Sequence, residues 1–73
     1  MSSKEKQMKA LRDKILTSIE PYDIRTLLAS LEEYGHDALP VMFEIIELSG
    51  NPDVKTNTSN SITRVKQRWP EPN

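Results

Sequence analysis

The chain has no cysteine among its 73 residues, so no disulfide staples the fold and no thiolate serves as nucleophile or metal ligand. Only two glycines are present, which rules out a glycine-rich loop that cradles phosphate. His36 is the single histidine, and this excludes any metal site built on two or more imidazoles. No apolar run approaches the length that spans a bilayer, and the opening MSSKEKQMK is charged where a signal peptide is apolar. The expected location is the cytoplasm, with no membrane role.

Length allows one small domain with a small core. Net charge is −1, too little to draw the chain toward nucleic acid or membrane over a distance. The distribution carries more. Five Lys or Arg oppose three acids in residues 1–20, Arg25 alone faces seven acids in residues 21–53, and four Lys or Arg face Glu71 in residues 54–73. Two basic ends flank an acidic middle.

Apolar spacing is helical throughout. Ser2 and Glu5 form a capping-box pattern ahead of Met8, Leu11, Ile15 and Ile19, predicting a first helix from about Ser3 to Ile19, stopped by Pro21. Ile24, Leu27, Leu28, Leu31 and Tyr34 give a second stripe, predicted to end at Gly35. Asp37 is the expected N-cap of a third helix with Pro40 in its first turn. Its apolar residues, from Leu39 through Leu48, cover more than one face, so it is expected to be the most buried helix.

The fourth segment contains six consecutive poor helix formers, Thr56 to Ser61. They cost about 3 kcal/mol relative to alanine. Even so, Val54, Thr58, Ile62, Val65 and Trp69 fall on one arc with Ser61 at its edge, capped by Asn51 or Asp53 and stopped by Pro70. The expectation is an all-α bundle of about four helices, forming one domain over 1–69 with a disordered tail at 70–73.

Residues 37–65 carry Ala38-Leu39-Pro40 at a helix opening, Pro52-Asp53-Val54-Lys55 at a turn, and Ile62 with Val65 closing the second helix. In this spacing the stretch resembles one HEAT-type helical repeat, in the short form found in phycobilisome-lyase-like proteins. It departs from that pattern at Asn57, Thr58, Ser59 and Ser61, where alanines are usual, and at Lys55, where Arg is commoner. The resemblance implies an antiparallel hairpin of helices 3 and 4 and a scaffold that binds other macromolecules.

Catalytic chemistry has little to stand on. His36 is expected to be an exposed loop residue near a helix start, and the Glu32–Glu33 and Glu44–Glu47 pairs to be solvated helix faces without a calcium-loop context. No cofactor is expected and no enzyme activity. What remains is binding. Lys55, Asn57, Asn60, Arg64, Gln67 and Arg68 lie off the apolar arc of the fourth helix and are the candidate partner-binding residues. Two readings fit them. In the first, the chain is a protein-interaction or adaptor module that joins this basic helix to an acidic centre, with self-association among the options and Tyr22, Tyr34 and Trp69 as candidate anchors. In the second, helices 3 and 4 form a helix-turn-helix that reads nucleic acid, because Asn, Gln and Arg suit base edges and Lys and Arg suit phosphates.

Overall fold

A computed structural model describes residues 2–70. Among these residues the regular structure is helical: α1 (Ser3–Thr17), α2 (Pro21–Glu32), a 3-10 turn (Gly35–Ala38), α3 (Leu39–Leu48) and α4 (Pro52–Arg68). The expected all-α bundle of four helices is therefore what the chain forms. Apart from Pro70, the tail expected at 70–73 lies outside the described residues.

The Ser2 hydroxyl caps α1 by accepting the Glu5 amide at 3.2 Å. The helix stops at Thr17, two residues short of the expected Ile19, and Ile19 is 83% exposed instead of completing the stripe. Thr17 turns its hydroxyl back onto the carbonyls of Asp13 and Lys14, and Ser18 is extended. The reversal into α2 needs residues 18–20, so the helix yields them. Pro21 then supplies the first position of α2, where its missing N–H is harmless.

α2 ends at Glu32, ahead of the expected Gly35, and its last turn tightens through Glu33 N–H to Ser30 O and Tyr34 N–H to Leu31 O. Gly35 takes φ +63°, the left-handed conformation that reverses the chain. Asp37 does not cap α3. The 3-10 turn runs straight into the helix with Ala38 at φ −80°, ψ −17°, leaving no extended residue to act as a cap. The Asp37 carboxylate pairs with Lys4 instead.

Nor is α3 the most buried helix. It buries Met42 and Ile45, while Phe43 and Leu48 are 50% and 62% exposed. α4 buries Val54, Thr58, Ser61, Ile62 and Val65, the predicted arc. Asn51 is its cap, accepting the Asp53 amide at 2.9 Å.

The core joins Ile15 to Ile24, Leu28, Leu31, Met42, Ile45, Val54 and Val65, one or more from every helix. Two ion pairs fix the layout. Lys4 meets Asp37 and Arg12 meets Glu44, so α1 and α3 run side by side in the same direction. Thr17 and Leu48 end these helices about 7.5 Å and 6 Å beyond the second pair, at about 1.5 Å per residue. The α1–α2 and α3–α4 connections thus emerge at one end of the bundle. The opposite end gathers the starts of α1 and α3, the 3-10 turn and Trp69.

Candidate interaction surfaces

At about 100° per residue, the outer side of α4 divides into three strips. Asn57, Arg64 and Arg68 fall on the flank toward α2, Lys55 and Lys66 on the flank toward α3, and Asn60 and Gln67 furthest out. The two arginines are occupied. Arg64 binds Glu32, and Arg68 reaches Glu33 at 3.6 Å while its guanidinium lies 4.3 Å from the centre of the Trp69 ring. Asn57 donates to the Asp53 carbonyl of its own helix at 2.9 Å. Lys55, Asn60 and Gln67 are exposed.

Glu32 is the residue that the sequence reading misplaced. It is 6% exposed and not part of a solvated face. Its carboxylate accepts the Ser61 hydroxyl at 3.0 Å and Arg64 through Nε and Nη2, both at 3.1 Å. Arg64 Nη2 also donates to Ser61 Oγ at 3.0 Å. A buried carboxylate needs such partners. The signal was available: Glu32 stands four residues after Leu28 and eight after Ile24, on the buried face of α2. Serine at position 61 is thereby explained, because it supplies a donor where alanine supplies none. Thr58 is fully buried, and among the described residues its hydroxyl has no hydrogen-bond partner.

At the far end Trp69 packs against Gly35, where a Cβ would lie 3.6 Å from the indole. His36, half-buried where an exposed loop residue was expected, meets the Trp69 carbonyl through Nε2. A carbonyl only accepts, so this nitrogen carries the proton. Tyr34 hydrogen-bonds Gln7 on α1. Around them an open cleft of about 580 Å³ is lined by Glu33, Tyr34, His36, Arg68 and Trp69. These groups are already engaged: Arg68 with Glu33 and the Trp69 ring, His36 with the Trp69 carbonyl, and Tyr34 with Gln7.

Along α1, the hydrogen bond from Lys4 and then its charge hold the Asp37 carboxyl below its ordinary value. The same pairing raises Lys4. Arg12 is held charged by hydrogen bonds to Asp13 and to Glu44. Among the described residues, no three His, Asp or Glu side chains are grouped as ligands for a metal ion. No helix among them is long and apolar enough to cross a membrane.

The surface also carries apolar bulk. Ile19, Tyr22, Phe43 and Leu48 are all at least half exposed. Phe43 is partly shielded by Lys66, whose ammonium lies 6.0 Å from the ring centre. Compared with protein-family models, curated proteins and solved structures, the chain matches none.

Proposed function

We propose that this chain is a non-enzymatic, cytoplasmic protein-interaction module, acting by surface complementarity and not by chemistry. The observation that carries the reading is the set of exposed apolar side chains, Ile19, Tyr22, Phe43 and Leu48, on a domain whose core is small. Three of the four stand at the end of the bundle that carries both interhelical connections, and apolar groups gathered on one surface favour a partner. The HEAT-type resemblance of residues 37–65 supports the same reading.

The helix-turn-helix reading is less well supported. Its two guanidinium groups, Arg64 and Arg68, are held by Glu32 and Glu33, so a nucleic acid has to compete with those carboxylates. Lys55, Lys66, Asn60 and Gln67 make a thin reading surface. The test is site-specific photo-crosslinking in the native host, with the reactive residue placed in turn at positions 22, 43, 48, 60 and 67. A discrete protein adduct is expected from at least one position. Nucleic-acid adducts from 60 and 67 favour the second reading, and no adduct from any position overturns the first.

A further inference from the structure

Single exposed apolar residues are ordinary on small domains. Here three of the four gather at one end. Ile19 lies in the α1–α2 connection, Tyr22 in the first turn of α2, and Leu48 is the last residue of α3; their exposures are 83%, 74% and 62%. The pairing of Lys4 with Asp37 and of Arg12 with Glu44 sets both connections at this end. Gly50 lies at its tip with open space around it, since a Cβ added there meets nothing within 4 Å.

Acidic groups stand nearest the two connections. From Ile15 to Ile24 and from Ile45 to Val54 the chain carries Glu20, Asp23, Glu47 and Asp53 and no Lys or Arg. All four carboxylates are exposed. Lys14, Arg25 and Lys55 lie one residue beyond those stretches, and Lys14 shares a hollow with Thr17, Ser18 and Asp23. The scaffold beneath is stiff. Each connection is three residues long, α2 and α4 each open on a proline, and Ser49 Oγ accepts the Asn51 amide at 3.1 Å. A rigid apolar surface loses little conformational freedom on binding.

We propose that this end of the bundle docks a basic amphipathic segment of a partner protein, whose apolar side chains cover Ile19, Tyr22 and Leu48 while its Lys and Arg meet the acidic rim. The proposal rests on the protein-interaction reading and locates its surface. Apolar anchors supply affinity, and the carboxylates select the sign of the partner and speed encounter.

The test is a titration of the full-length, 15N-labelled chain with a synthetic Leu/Lys amphipathic helical peptide, alongside a Leu/Glu peptide of the same pattern. Shifts confined to residues 18–24 and 46–54, weakening with salt, are expected from the Leu/Lys peptide alone. Tyr22→Ser with Leu48→Ser should weaken binding about tenfold or more, and Glu20→Gln with Glu47→Gln should reduce both affinity and salt dependence. All four positions are exposed, so the variants keep a native-like spectrum. Absence of binding overturns the proposal, as does equal binding of the Leu/Glu peptide. Shifts centred on Asn60 and Gln67 overturn it while leaving the interaction reading intact. Sedimentation showing that the free chain dimerises through this end assigns the surface to a second copy and also overturns it.

Discussion

Arg64 on α4 grips Glu32 on α2 in a forked pair, with Nε at 3.1 Å from Oε1 and Nη2 at 3.1 Å from Oε2. The Arg64 side chain is 52% exposed and the Glu32 side chain 7%, so the pair is lopsided: the cation keeps its water and the anion gives up most of its own. Losing the arginine therefore costs more than a surface ion pair is worth.

Arg64→Ala should lower stability by about 2 kcal/mol, because it leaves a buried carboxylate with Ser61 as its remaining donor. Replacing both members with methionine, Glu32→Met with Arg64→Met, should recover most of that loss, since paired removal leaves no unmatched charge. Urea unfolding of the two variants and of Glu32→Met completes a double-mutant cycle. A loss under about 0.5 kcal/mol for Arg64→Ala, the range of an ordinary surface substitution, would count against a structural role.

Thr58 presents the opposite case. Its hydroxyl is buried, unpaired and fully shielded from solvent, and valine has nearly the same shape without the unmet polar group. Thr58→Val should raise stability by about 1 kcal/mol. Thermal unfolding checks this, and a lower midpoint would show that the oxygen has a partner in solution.

The two glycines should behave differently. Gly35 holds φ +63° beneath the Trp69 ring, and the added methyl of Gly35→Ala would meet the indole at an ordinary contact distance of 3.6 Å. Its cost, about 1 to 2 kcal/mol, comes from the left-handed backbone. At Gly50 no positive φ is needed and nothing lies within 4 Å of a Cβ, so Gly50→Ala should be neutral or slightly stabilising. Equal losses at both positions in urea unfolding would refute this account.

How far the sequence disclosed this arrangement follows from what spacing encodes. Apolar periodicity records which way a side chain faces, and it found the four helices and the buried arc of α4, including Thr58 and Ser61. It does not record where a reversal needs length, so the expected first helix runs on to Ile19 while α1 ends at Thr17. Treating Glu32 as a solvated face let charge override position, although its place relative to Ile24 and Leu28 marked it as inward. The partnerships of Arg64 with Glu32, Arg68 with Glu33 and His36 with Trp69 span 32 to 35 residues. Nothing local in the chain announces them. For the same reason the gathering of Ile19, Tyr22 and Leu48 was invisible: it arises only once α1 and α3 lie side by side.

The Lys4–Asp37 pair makes a prediction about pH. Its carboxyl is held below the ordinary value of 3.8, first by the hydrogen bond from Lys4 and then by its charge. A carboxyl that ionises more readily when folded stabilises the native state above its unfolded value, and that contribution fades as pH falls through the lowered value. Lys4, raised above 10.5 by the same partner, contributes below that pH and loses its part as pH rises through the raised value. The pair is thus in full force between the two limits. Both groups are exposed, so the effect is small and screened by salt. Asp37→Asn should reduce stability at neutral pH and low salt. The gap from the parent chain should close as pH drops below the ordinary carboxyl range, and also in molar salt at neutral pH. Urea unfolding across that grid checks both limbs, and a gap that persists at pH 2 would mean that Asp37 acts through packing of the 3-10 turn and not through its charge.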